Sequence, residues 1–310
     1  MAGRIGLLFS GQGAQQVGMG KDLSQQYAVA ANLFSEADSQ LQRPVSQIAF
    51  EGPIEQLTKT SNCQVALYVH GLALLAVLRE ELDRFEFCAA AGLSLGEFTA
   101  HAAGGTFDFS TGLRLVDARS RFMEEACAAT EGAMAAFVGG EESLVREIAR
   151  ESDVDVANLN SPGQIVLSGE TPKILAAVAR AKERGIRRAV PLNVAGAFHS
   201  RLMESARTRL LPLLQSSDLR SPTVEVIANV TAAFAKEPDE IRRTLADQVT
   251  GSVRWVETIN YLLDKVGCDL LIELGPGQVL AGLVARIRKG TKVISIENVE
   301  TLRESLAAIR

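Results

Sequence analysis

The stretch Gly92-Leu93-Ser94-Leu95-Gly96 decides how the rest of the chain is read. It follows Phe85-Glu86-Phe87-Cys88-Ala89-Ala90-Ala91, a short and mostly apolar run of strand length. It precedes Glu97 to Ala103, which reads as helix until Gly104-Gly105 stops it. G-x-S-x-G alone is a weak pattern, because three fixed positions in five recur by chance. Between a strand and a helix it describes an elbow, with a serine on a tight turn, its hydroxyl exposed above a helix N-terminus. The two glycines tolerate unusual dihedrals and place no side chain against the neighbouring backbone. Ser94 is therefore the candidate nucleophile.

Around that elbow lie 310 residues, enough for a large core in one large domain or two unequal ones. Hydrophobic residues make up 47% and charged residues 22%, as in an ordinary globular protein. A net charge of −5 provides no basic footprint for nucleic acid and no polybasic membrane patch. Cys63, Cys88, Cys127 and Cys268 lack metal-ligand spacing, and no metal site is expected. Cys88 and Cys268 sit in apolar runs and read as buried reduced thiols. The apolar part of Met1 to Phe9 is too short for a signal peptide, and Val65 to Leu78 is too short to span a bilayer. The latter reads as a buried core helix, and a cytoplasmic protein is expected.

Strand-like runs recur at Ile5–Phe9, Val224–Ala228, Asp269–Leu274 and Lys292–Ile296, with helical segments such as Ser110–Ala128 and Trp255–Val266 between them. Short apolar strands separated by amphipathic helices imply a mostly parallel sheet covered on both faces. The middle of the chain differs. Strands at Met134–Val138, Val154–Asn158, Gln164–Leu167 and Arg188–Val194 alternate with helices at Glu141–Glu151 and Lys173–Arg184. Asn160-Ser161-Pro162-Gly163 marks the turn between the second and third of these strands. The order is βαββαβ, a ferredoxin-like pattern. The expected fold is thus α/β, a large domain (1–128 and 199–310) interrupted by a small ferredoxin-like one (129–198). The cleft between the two is the natural ligand site.

A serine hydroxyl needs a base, and the chain offers three histidines. His70 lies in the apolar Val65–Leu78 run and reads as a core histidine. His101 is two helical turns beyond Ser94, out of reach of the helix start. His199, in Gly196-Ala197-Phe198-His199-Ser200, falls where the chain leaves the small domain, and is the candidate base. Arg119 is the second unusual residue. Leu115, Val116, Phe122 and Met123, at minus four, minus three, plus three and plus four, make its helix face apolar. Arg114 and Arg121 instead have Asp117 or Glu125 at pairing distance on a solvated face. A charge in an apolar stripe needs a partner. Either an internal salt bridge or a substrate carboxylate, gripped by two parallel hydrogen bonds, would serve. Gly11-Gln12-Gly13-Ala14-Gln15 lacks both P-loop and dinucleotide patterns, and reads as a backbone donor loop for an oxyanion.

Six motifs then fall in one family's order: Gly11–Gln15, Gly92–Glu97, Arg119 before Phe122-Met123, Asn160–Gln164, Ala197–Ser200 and Glu273–Gly277. Over nearly its whole length the chain resembles the acyltransferases of fatty acid and polyketide synthesis, among them malonyl-CoA:acyl carrier protein transacylases. The resemblance implies an α/β-hydrolase-like large domain. It implies Ser94 as the acyl-carrying nucleophile and His199 as its base, with the backbone N–H groups of Gln12 and Leu95 as the oxyanion hole. It implies that the Gln248 backbone carbonyl orients the histidine and that Arg119 binds the malonyl carboxylate. Phe198 matches a position favouring malonyl over methylmalonyl, and Gln64 and Asn160 join the substrate-binding residues. The implied partners are malonyl-CoA and holo acyl carrier protein. No cofactor is implied beyond the coenzyme A of the substrate and the phosphopantetheine of the acceptor, and a monomer is expected. An acyl hydrolase of the same fold and a trans-acting polyketide acyltransferase are the alternatives. Leu93 departs from the family, which usually has histidine before the nucleophile.

Overall fold

The computed structural model describes residues 4–309. Met1–Gly3 and Arg310, within the expected bounds of the large domain, lie outside the described residues. In chain order the strands are β1 (Ile5–Phe9), β2 (Ala89–Gly92), β3 (Gly132–Val138), β4 (Asp155–Ser161) and β5 (Gln164–Glu170). They continue with β6 (Arg188–Pro191), β7 (Glu225–Ala228), β8 (Ala233–Phe234), β9 (Leu270–Leu274) and β10 (Val293–Ile296). The larger sheet has the order β10-β9-β1-β2-β7-β8. Its pairings from β10 through β7 are all parallel, and β8 returns antiparallel to β7.

Strict alternation builds a core on each face of this sheet. Leu7, Phe9, Ala90, Ile272 and Leu274 enter one apolar cluster, with most of the buried helix Thr60–Glu81. Leu8, Ala89, Ala91 and Leu271 enter another, with Trp255, Ile259, Leu280 and Val284. Strands buried on both sides are apolar at nearly every position, which is why they read as continuous runs. Glu273 in β9 is the buried exception, its carboxylate accepting from Leu280 N–H, Ala281 N–H and the Ser295 hydroxyl. The helix Thr60–Glu81, although long and apolar enough to cross a membrane, contributes to the core.

Residues 132–191 build a second sheet, order β4-β5-β3-β6, antiparallel throughout. The helices Glu142–Glu151 and Thr171–Glu183 complete a βαββαβ order around a separate core that includes Phe137, Ile148, Leu167 and Ile174. The second sheet is sewn to the rest of the molecule at Val253. Its N–H donates to the Ala157 carbonyl at 2.8 Å, and its carbonyl accepts from Leu159 N–H at 2.9 Å, both on β4.

Several boundaries differ from expectation for local reasons. β2 starts at Ala89, because β1 begins at Ile5 and offers nothing opposite Phe85–Phe87. β6 ends at Pro191, opposite Ala135, although Leu192 N–H still donates to the Met134 carbonyl at 2.8 Å. Asn160 and Ser161 belong to β4, so Pro162-Gly163 alone makes the hairpin turn, with Gly163 at φ 71°. The Trp255–Val266 helix changes to π geometry from Tyr261 onward. The helix expected over Ser110–Ala128 begins at Phe109, where Asp108 caps it by accepting from Thr111 N–H at 2.7 Å. Cys88 is only half-buried, and its Sγ lies 3.9 Å from that of buried Cys268, both free thiols.

Candidate active site

Leu93 and Ser94 join the end of β2 to the helix Leu95–Ala103, with Ser94 at φ 54° and ψ −105°. A side chain rarely adopts this conformation, at a cost of about 1–3 kcal/mol. The two glycines make it attainable by allowing backbone contact. A Cβ on Gly92 would lie 1.9 Å from the carbonyl carbon of Gly96, and one on Gly96 would lie 2.2 Å from the carbonyl oxygen of Phe9. Asn229, just after β7, fastens the turn. Its Oδ1 accepts from Ser94 N–H and its Nδ2 donates to the Gly92 carbonyl, each at 2.8 Å.

With Ser94 N–H engaged, the next free donor at the helix start is Leu95 N–H. Neither it nor Gln12 N–H has a hydrogen-bond acceptor among the described residues. The Gln12 loop abuts the elbow, since a Cβ on Gly11 would meet the Leu93 carbonyl oxygen at 2.3 Å. Leu93 itself packs on the apolar cluster of Leu8, Ala91 and Ile227.

Ser94 Oγ lies 2.7 Å from His199 Nε2. On the other side of the ring, Nδ1 faces the carbonyls of Gln248 at 2.8 Å and Gly251 at 3.2 Å. A carbonyl can only accept, so Nδ1 carries the proton and Nε2 presents its lone pair to the serine. Burial holds His199 down to about 4, helped by the Arg119 charge and opposed by the two carbonyls. The ring is therefore neutral at physiological pH. The other histidines are engaged elsewhere: His70 Nε2 meets the Glu297 carbonyl at 3.0 Å, and His101 Nδ1 meets Thr106 Oγ1 at 2.9 Å.

Arg119 is fully buried and reaches the same serine. Its Nη2 donates to Ser94 Oγ at 3.0 Å and to Gln248 Oε1 at 2.8 Å; Nη1 donates to Gln64 Oε1. Its guanidinium lies 5.4 Å from the Phe98 ring centre. The partners are amides and a hydroxyl, so the internal salt bridge is not formed among the described residues. Glu97, directly after the elbow, carries the nearby negative charge. Its Oε2 accepts from Gln248 Nε2 at 2.7 Å and from Asn229 N–H at 2.9 Å. Burial pushes Glu97 up to about 7 and pulls Arg119 down to about 10.

The structure thus brings together Ser94, His199, Arg119, Gln64 and Gln248, with Gln12 linked to Gln64 at 3.4 Å. Phe198 is buried beside His199, in the apolar cluster that includes Met123 and Met134. Asn160 makes no hydrogen bond to Ser94, His199 or Arg119, and its buried Oδ1 has no partner among the described residues. Arg121 pairs with Asp117 as expected. Arg114 instead bonds Ser110 and Thr111 one turn back on its own helix, and Glu125 pairs with Arg209 on the neighbouring helix Glu204–Ser216. Glu97 and Asn229 were not foreseen as site residues. A carboxylate amid Leu95, Phe98 and Ala100 was the available signal for the first; the second, 135 residues from its partner Ser94, has none.

The acyl transferase domain family matches residues 7–303. A malonyl CoA-acyl carrier protein transacylase of Bacillus subtilis (strain 168) is 39% identical over 312 residues, covering 99% of this chain and 98% of its own. The crystal structure of an acyl-carrier-protein-S-malonyltransferase from Bartonella henselae superposes with TM-score 0.94 at 38% identity, covering 99% of both chains. A malonyl-transacylase in complex with a type II PKS acyl-carrier protein superposes with TM-score 0.93 at 32% identity, covering 98% of this chain and 99% of its own. With the elbow serine, its histidine and a matching fold along nearly the full length, the chain belongs to the acyl transferase domain family.

Proposed function

We propose that this protein transfers a malonyl group from malonyl-CoA to the phosphopantetheine thiol of acyl carrier protein. One observation carries the reading: a base and a cation converge on a single oxygen. His199 Nε2 at 2.7 Å and Arg119 Nη2 at 3.0 Å both meet Ser94 Oγ. The histidine suits any acyl transfer; the buried guanidinium suits an acyl group that ends in a carboxylate. In the first step Ser94 Oγ attacks the thioester carbonyl while His199 Nε2 takes the hydroxyl proton. The backbone N–H groups of Gln12 and Leu95 hold the oxyanion, and losing one such donor typically costs about 100- to 1,000-fold. The C–S bond breaks and coenzyme A leaves as the thiol, taking the proton from His199. In the second step His199 takes the proton of the phosphopantetheine thiol, whose sulfur attacks malonyl-Ser94. The ester C–O bond breaks and Ser94 recovers its proton.

The same reading assigns the Gln248 carbonyl to orienting His199, and Gln64, Phe198 and Asn160 to the acyl pocket. It takes the large sheet as α/β-hydrolase-like and residues 129–198 as a ferredoxin-like insertion, supported by the strand orders and the separate core. It requires no metal or cofactor. We read the protein as a cytoplasmic monomer; in support of life off the membrane, the one long apolar helix among the described residues is mostly buried in the core.

Intact mass after incubation with malonyl-CoA tests the proposal. One malonyl adduct is expected on the parent and none on Ser94→Ala, with the adduct lost on adding holo carrier protein. Release of malonate to water at the same rate without carrier protein would replace the transferase by a hydrolase.

A further inference from the structure

A buried guanidinium without a counter-charge is costly. Arg119 is wholly enclosed, yet among the described residues no carboxylate pairs with it directly. A negative charge reaches it through an amide. Arg119 Nη2 donates to Gln248 Oε1 at 2.8 Å, and Gln248 Nε2 donates to Glu97 Oε2 at 2.7 Å. Glu97 is equally buried, and its Oε1 has no partner. We propose that Glu97 is the internal counter-charge of Arg119 and competes with the acyl carboxylate for it, so that Glu97 sets how sharply the site separates acidic from neutral acyl groups. The proposal rests on reading Arg119 as the carboxylate-binding residue.

Both halves of the cycle need such a charge. Before substrate arrives, Glu97 opposes the pull of burial on Arg119 and keeps the guanidinium ionised. Once an acyl carboxylate docks, two anions share one cation with a single amide between the cation and Glu97. In a site shielded from solvent their repulsion is weakly screened. It loosens the hold on an acyl group that a transferase must pass on.

The ionisable surroundings of Glu97 are few. β1 and β2, packed on its helix, carry none. Arg119 comes from the helix Phe109–Ala128, and His199 lies beyond the Gln248 carbonyl. On the helix Thr60–Glu81, Cys63 bonds Gln15, Tyr68 bonds the Phe109 carbonyl and His70 bonds the Glu297 carbonyl. Glu225 on β7 bonds Tyr261, and His101 on the same helix as Glu97 bonds Thr106.

Glu97→Gln keeps one oxygen for both N–H donors and removes the charge. At pH 8 it is expected to lower the KM for malonyl-CoA and raise the malonyl-over-acetyl ratio of kcat/KM about tenfold. Glu97→Asp keeps the charge and is expected to keep the parent ratio, even where kcat falls. An unchanged or lower ratio in Glu97→Gln, or an equal rise in both variants, overturns the counter-charge role. Should Glu97→Gln not fold, the parent decides: its ratio must rise between pH 8 and pH 6 as Glu97 takes up a proton, and a flat ratio overturns the role. Arg119→Ala, measured alongside, keeps the two readings apart. If it leaves the preference intact, the carboxylate reading of Arg119 fails; if it abolishes the preference while Glu97→Gln changes nothing, Glu97 alone fails.

Discussion

At the scale of single residues, the site is a set of hydrogen bonds whose directions are fixed by chemistry. The two carbonyls on His199 Nδ1 do the work an aspartate would do in a charged triad, but without adding a charge. Uncompensated burial then keeps the imidazole neutral far into acid. The kcat/KM for acyl-enzyme formation is therefore expected to hold its plateau below pH 6 and to fall through a limb near 4. A pH–rate profile with its acid limb at the ordinary histidine value of about 6.5 would contradict this. On the proposed reading, Arg119→Ala removes two charge-assisted hydrogen bonds to the malonyl carboxylate. It is expected to lower kcat/KM for malonyl-CoA roughly 100- to 1,000-fold and to leave acetyl-CoA nearly unaffected, as steady-state assays on both would show.

At the scale of elements, the elbow shows what a local pattern can and cannot tell. The strand–serine–helix order, the apolar strands and the Arg119 stripe were readable because each is a property of neighbouring residues. His199 was readable from its place at the end of the small domain. Asn229 was not, because its role depends on β7 lying beside β2, a pairing across more than a hundred residues. Nor was the Gln248 side chain, whose amide joins Arg119 to Glu97. Asn229→Ala leaves Ser94 N–H and the Gly92 carbonyl without partners in a buried turn. It is expected to destabilise the fold by about 2–4 kcal/mol, measured by urea unfolding, and to slow acylation. Gly92→Ala places a methyl against backbone that cannot yield, and should cost about 3 kcal/mol or more with loss of acylation. Wild-type acylation in Gly92→Ala would show the turn to be more pliable than its contacts imply.

At the scale of the whole molecule, the three histidines govern acid stability together. Burial lowers His70 to about 4, His101 to about 3 and His199 to about 4. Their stabilising share is complete above the unfolded value of about 6.5 and is lost as pH falls through the folded values, because the unfolded chain binds the protons first. Each histidine contributes a slope of up to roughly 1.4 kcal/mol per pH unit in that window. Glu97 acts in the opposite sense. Raised to about 7, it favours the fold below its unfolded value and loses that share as pH rises through 7. Urea midpoints are expected to climb from pH 4 to 6.5, and Glu97→Gln to stabilise the protein more at pH 8 than at pH 5. Equal effects at the two pH values would place Glu97 in contact with solvent.

The Val253 seam has a consequence for modularity. The segment from Gln248 to Val253 takes its acceptors for His199 from one body and its hydrogen bonds at Val253 from the other body's edge strand. The antiparallel sheet is accordingly tied through its edge strand to the segment that holds the base. A chimera that swaps residues 129–198 leaves Ser94, Arg119 and His199 outside the exchanged segment. Whether it keeps its turnover depends on whether the new edge strand offers the Ala157 carbonyl and the Leu159 N–H at the same height.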